Sequence, residues 1–126
     1  MTHEQLISAC FTWHWNTFPE ERRMLYAVNN NISEGILSYV PAYKKTHVAR
    51  MEGAKNKAKG VVAGVWDFCY LPVSGGCVYM DAKVGQDKLS EEQIDFKDKC
   101  HSRGIICEVF SSLKQFQELI IKYNGR

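Results

Sequence analysis

Apolar residues follow two different rhythms along this chain of 126 residues. Leu6, Ile7, Cys10, Phe11 and Trp13 recur at helical spacing and predict an amphipathic helix facing a core. Thr2-x-x-Gln5 has the pattern of a capping box at its start, and Pro19 stops it after about Phe18. Met24 to Val28 reads as a short strand, ended by the turn-forming Asn29-Asn30-Asn31. Residues 32–40 show no dominant period. Pro41 is placed to start a helix that Gly60 would end, although Gly53 weakens that pattern. The rhythm then changes. Two runs rich in Val, Tyr, Phe and Trp, Gly64 to Pro72 and Cys77 to Val84, flank Val73-Ser74-Gly75-Gly76, which is a strand–turn–strand signal. Ser90-x-x-Gln93 opens another helix to about Ser102, closed by Gly104, and Ile105 to Phe110 follows as a strand. Ser112-x-x-Gln115 opens a last helix with Phe116, Leu119 and Ile120 as its apolar stripe. The order α-β-(α)-β-β-α-β-α predicts one α/β domain over residues 1–126, with a mixed sheet of about four strands flanked by helices.

Polar residues interrupt the hairpin at revealing places. Asp67 and Asp81 are symmetric about Ser74, so a hairpin centred there sets them opposite each other, roughly 5 Å apart at Cβ. Strand alternation puts Asp67, Asp81 and Lys83 on one face, with Cys69 and Tyr79 beside them as packing residues. It puts Trp66, Phe68, Tyr70, Val78, Met80, Ala82 and Val84 on the other, purely apolar face. Two like charges directly opposite are unfavourable unless neutralised, and a divalent cation does that. Solvated carboxylates paired with lysines are the alternative reading.

Composition narrows the setting. No apolar run approaches the length that spans a membrane, and the first residues lack the basic-then-apolar pattern of a signal peptide. Five cysteines, an odd number with no CxxC, suit buried thiols in a reducing cytoplasm better than a zinc site or a disulfide framework. His3, His14, His47 and His101 show no ligand spacing and read as surface or core histidines. The net charge of +2 is small. Its distribution is not even: residues 41–60 carry Lys44, Lys45, Arg50, Lys55, Lys57 and Lys59 against the lone Glu52. Such a segment is either a solvated helix face or a cradle for nucleic-acid phosphates.

The ordered series Gly60-x-x-x-Gly64-Val65-Trp66-Asp67, Met80-Asp81-Ala82-Lys83 and Leu89-Ser90-x-x-Gln93, with a Gly104-bounded β-α end, resembles the VRR-NUC domain. That is the virus-type replication-repair nuclease branch of the PD-(D/E)xK, restriction-endonuclease-like superfamily. The resemblance runs from the first helix to Leu119. It implies a restriction-endonuclease-like core and a metal-dependent endonuclease acting on DNA with Mg²⁺ or Mn²⁺. It implies Asp67 and Asp81 as metal ligands, with the Ala82 carbonyl completing that edge and Glu4 of the first helix as a further ligand. Lys83 would orient the attacking water and stabilise the charged transition state, and Gln93 would support the site. Two departures stand out: Trp66 where the superfamily has proline, and Asp81 where this branch more often has glutamate.

Small members of the family resemble Holliday-junction resolvases of phage or mobile-element origin that act as homodimers, so branched DNA is the expected substrate. Nucleases for flap, nicked or duplex DNA, or a non-catalytic nucleic-acid-binding module, are the alternatives. The chemistry is coherent on its own. Phosphodiester hydrolysis needs a nucleophile near neutral pH and shielding of developing charge, which metal ions supply. Mg²⁺ favours few carboxylates with waters and phosphate oxygens, and a lysine adds fixed positive charge.

Overall fold

The computed structural model describes residues 1–28, 51 and 64–125. Helix α1 spans His3–Thr17 and opens on the expected capping box, in which the Thr2 side chain accepts from the Gln5 amide and Gln5 accepts from the Thr2 amide. Pro19 begins a single 3₁₀ turn, Pro19–Glu21. Strand β1 (Leu25–Ala27) follows, then β2 (Phe68–Tyr70) and β3 (Val78–Ala82). Helix α2 (Glu91–Ser102), strand β4 (Ile106–Phe110) and helix α3 (Leu113–Asn124) complete the described chain. The Asn29-Asn30-Asn31 turn and the helix expected from Pro41 to Gly60 lie outside the described residues.

The strands form one sheet in the order β1-β2-β3-β4. Strands β1 to β3 are antiparallel, and β4 runs parallel to β3, so α2 serves as the crossover between them. This is the mixed α/β architecture read from the sequence. The hairpin register is also as expected: Phe68 pairs with Met80, Cys69 with Tyr79 and Tyr70 with Val78. One step beyond Phe68–Met80 stand Asp67 and Asp81.

Each face of the sheet has its own core. On one face Phe68, Tyr70, Val78, Met80 and Ala82 pack with Leu6 and Cys10 of α1 and Phe116 and Ile120 of α3, with Val84 alongside. Edge-to-face rings hold this layer together, Phe11 against Phe68 at 5.0 Å and Trp13 against Phe116 at 6.1 Å between centroids. This face is not purely apolar. The Tyr70 hydroxyl donates to Glu21 Oε1 at 2.7 Å, and His14 Nε2 lies 3.3 Å from the same oxygen, all three residues being buried. On the other face Tyr79 packs edge-on against Phe96 of α2, with Cys100, Cys107, Leu89 and Ile105 around them.

Trp66 departs from its expected face. It is fully buried in the α2-side cluster, not among Phe68 and Met80. Alternation holds only inside regular strand, and β2 starts at Phe68, so the irregular approach through residues 64–67 rotates Trp66 to the other side.

All five cysteines are free thiols, four of them buried. Burial pushes the Cys10 thiol up to about 12, and burial together with the neighbouring Cys100 does the same to Cys107. Such thiols stay protonated and unreactive. Among the described residues no helix is long and apolar enough to cross a membrane.

Candidate active site

Three layers meet at one end of the sheet, where β2 begins and β3 ends. Asp67 enters from the residue before β2, Asp81 from β3 and Lys83 from the residue after Ala82. Gln93 comes from the first turn of α2, and His3 from the first turn of α1.

The two aspartates are interlocked through the backbone. Asp81 Oδ1 accepts from the Asp67 amide at 3.2 Å, and Asp67 Oδ2 accepts from the Ala82 amide at 3.2 Å. These bonds follow from the hairpin register, which leaves each carboxylate facing an amide the ladder does not use. The Lys83 ammonium stands 2.8 Å from Asp81 Oδ2 and also donates to Gln93 Oε1 at 3.1 Å. Gln93 Nε2 donates in turn to Asp81 Oδ1 at 3.3 Å. Asp67, Asp81, Lys83 and Gln93 therefore form one connected cluster: strand alternation predicted the first three to share a face, and the family resemblance implied the fourth.

Gln93 makes two kinds of contact. Its Oε1 closes the capping box by accepting from the Ser90 amide at 3.0 Å, while its amide nitrogen reaches Asp81. Two contacts lock the turn that carries it. The Trp66 indole donates to the Gln93 carbonyl at 3.1 Å. Gly64, at φ +83°, lies so close to α2 that a Cβ there would sit 2.5 Å from Glu92 Cβ. Trp66 is thus joined to the cluster through the Gln93 backbone.

Electrostatics mark Asp81. Its side chain has no exposed surface, whereas those of Asp67 and Lys83 are 22% and 19% exposed. Burial raises the Asp81 carboxyl from 3.8 to about 6; Lys83 opposes the rise and the Asp67 charge adds to it. Oδ2 of Asp81 is buried without a well-directed hydrogen bond, its nearest partner being the Lys83 charge.

Glu4 is not at this centre. It is exposed, and no contact joins it to either aspartate among the described residues. The α1 residue that arrives is His3, whose Nε2 lies 3.1 Å from Asp67 Oδ2. Successive helical residues diverge by about 100°, so only one of the two can face the site. His3 carried no sequence signal beyond standing next to Glu4. Lys44, Lys45, Arg50, Lys55, Lys57 and Lys59 lie outside the described residues. The chain leaves the described fold at Val28, whose amide donates to the Asp67 carbonyl at 2.8 Å, and returns at Gly64 against α2. The first point adjoins Asp67 and the second the start of α2.

Among the described residues, no group of three or more His, Cys, Asp or Glu side chains forms a ready-made metal cage. Hard oxygen donors on Asp67 and Asp81 nevertheless suit Mg²⁺ or Mn²⁺, and Mg²⁺ sites commonly rest on one or two carboxylates plus waters and substrate phosphate. No protein-family model matches the chain, and neither the curated proteins nor the solved structures contain a match.

Proposed function

We propose that this protein is a metal-dependent endonuclease that hydrolyses DNA phosphodiester bonds, with Asp67 and Asp81 holding Mg²⁺ or Mn²⁺. One observation carries the reading: two carboxylates from facing strands converge with a lysine and a glutamine that are each bonded to one of them. Bound metal would supply a nucleophilic water and charge neutralisation. Lys83, partly exposed and paired with Asp81, stabilises negative charge as it develops on the phosphate. Gln93 holds Asp81 and Lys83 in register, and by the family resemblance the Ala82 carbonyl would be a further oxygen donor to the metal.

The substrate is DNA, with four-way junctions preferred and a homodimer placing two sites on a two-fold axis. That preference rests on the resemblance to junction-resolving nucleases and on chain length. The basic residues between 41 and 60 supply phosphate contacts, a role that rests on their charge: six cations against the lone Glu52. Recognition is then of shape, not of base sequence.

The test is cleavage of a labelled four-way junction against flap, nicked and linear duplex DNA, with and without Mn²⁺. Metal-dependent incision is expected. Asp67→Asn, Asp81→Asn and Lys83→Ala should each lower the rate by at least about 100-fold, in the range for removing one transition-state-stabilising group. Junction affinity should hold or rise in the aspartate variants, because repulsion of phosphate falls. Undiminished cutting by Asp81→Asn would overturn the site assignment. DNA binding with no incision under any metal would favour a non-catalytic binding module.

A further inference from the structure

Away from the carboxylates, the C-terminal half of α1, the 3₁₀ turn and the start of β1 border a cavity of about 330 Å³. That volume stands at the lower end of the roughly 300–1,000 Å³ of small-molecule sites, so it suits one ring system and not an extended ligand. Phe11 and Leu25 give it apolar surface, and Thr12 and Asn16 add a hydroxyl and an amide. Trp15 and Arg22 complete the wall, and none of the lining residues is acidic.

Trp15 and Arg22 together make a stacking surface. Trp66 is fully buried and Trp13 packs edge-on against Phe18 and Phe116, whereas Trp15 is 52% exposed. The Arg22 guanidinium carbon lies 4.7 Å from the centre of the Trp15 ring, within cation–π range. Its Nε donates to the Trp15 carbonyl at 3.0 Å, one of the last carbonyls of α1. Capping the helix end explains that bond, but not the open indole beside a cavity. The wall behind is firmly held: Phe11 packs edge-on against Phe68 at 5.0 Å, and buried His14 lies 3.3 Å from Glu21 Oε1. Trp15 is twelve residues along α1 from His3, about 18 Å at 1.5 Å per residue, so this cavity is separate from the carboxylate cluster.

We propose that this cavity binds a nucleobase, stacked on the Trp15–Arg22 surface with its edge toward Thr12 and Asn16. Aromatic rings and guanidinium planes are the surfaces on which unpaired bases stack. The Asn16 amide offers both a donor and an acceptor to a base edge. A cation with no acid in the lining suits a ligand that carries phosphate. An apolar peptide side chain would fill the aromatic wall and leave the charge and the amide idle. The base belongs either to a free nucleotide or to an unpaired position of a DNA strand, since a paired base has both faces stacked in its duplex. The inference rests on the DNA reading of the protein for the second source alone.

Intrinsic tryptophan fluorescence of the full-length protein in EDTA tests this, because no metal is present and no strand is cut. The titrants are deoxyadenosine monophosphate, a short oligothymidylate and a blunt duplex. Saturable quenching by the single strand or by the mononucleotide, with none from the duplex, is the expected result. Quenching by the mononucleotide assigns the cavity to free nucleotides as well; quenching by the strand alone assigns it to unpaired DNA. Trp15→Ala should remove the quenching although Trp13 and Trp66 remain, and should weaken binding of the quenching ligand by at least about fivefold, the lower end for losing one base stack. Trp15→Phe, which keeps a ring, should restore most of that affinity, read by anisotropy of a labelled ligand. Circular dichroism checks that both variants fold. Quenching that survives Trp15→Ala, equal quenching by the duplex, or no saturable quenching by any titrant overturns the proposal. Metal-dependent incision is measured separately, so those outcomes leave the nuclease reading standing.

Discussion

Asp81 gives the described fold a pH signature in the acidic range. Its carboxyl titrates near 6 in the fold, raised first by burial, against 3.8 in an unstructured chain. Between those values the folded state holds a proton that the unfolded state has released. The stability this group contributes is therefore complete below about 4 and is lost as pH climbs through about 6. In thermal melts without divalent metal, Tm should decline over that interval, and Asp81→Asn should flatten this part of the profile. Metal ligation needs the carboxylate, so Mn²⁺ should reverse the slope, with binding strengthening as pH passes 6. A metal-free profile identical for Asp81→Asn and the parent protein would refute the assignment. The residue scale is also where sequence reasoning worked best and failed most sharply. Asp67, Asp81 and Lys83 were legible because alternation and turn symmetry fix which side chains share a face, whereas Gln93 was marked by its capping-box spacing and the family resemblance. His3 was not, because choosing between two adjacent helical residues requires the rotation of α1 about its own axis. That rotation is set by packing between Leu6, Cys10 and the sheet, far along the chain in sequence.

At the level of the elements, the approach to β2 acts as a clamp on α2. Gly64 presses on Glu92 at a positive φ, and the Trp66 indole holds the Gln93 carbonyl. Gly64→Ala meets both a left-handed backbone and an overlapping Cβ, so a cost of about 2–4 kcal/mol is expected. Because the displaced turn is the one bearing Gln93, incision should fall further than stability alone explains. Denaturant melts alongside single-turnover cleavage separate the two effects. Trp66→Phe keeps most of the buried ring but removes the indole donor, which should cost about 1 kcal/mol. Full activity in Gly64→Ala would mean that Gln93 needs no such support. The helices were readable from their capping boxes, and the hairpin from its turn. The side chosen by Trp66 was not, since it lies in irregular chain where no period applies.

Across the whole molecule, the sheet presents two unlike faces, one covered by α1 and α3 and the other by α2. That layering was legible from element order, because a strand–helix–strand unit with parallel strands places its helix on a face. The buried Tyr70–Glu21–His14 cluster was not, since its members are far apart in sequence and each reads alone as a core or turn residue. Binding to DNA should draw on the basic residues between 41 and 60. Replacing Lys44, Lys45, Arg50, Lys55, Lys57 and Lys59 by glutamine should reduce the slope of log affinity against log salt, by about 0.9 for each phosphate that is no longer neutralised. Chemistry on a short, pre-bound substrate should change little. A salt dependence untouched by all six replacements would assign DNA binding to another surface.

Gly64 is wedged on α2, and the Trp66 indole holds the Gln93 carbonyl, so the chain entering β2 splints the start of that helix. Gln93 in turn donates to Asp81. A change of residue at position 64 therefore reaches Asp81 by relay, through a helix start, without touching either carboxylate.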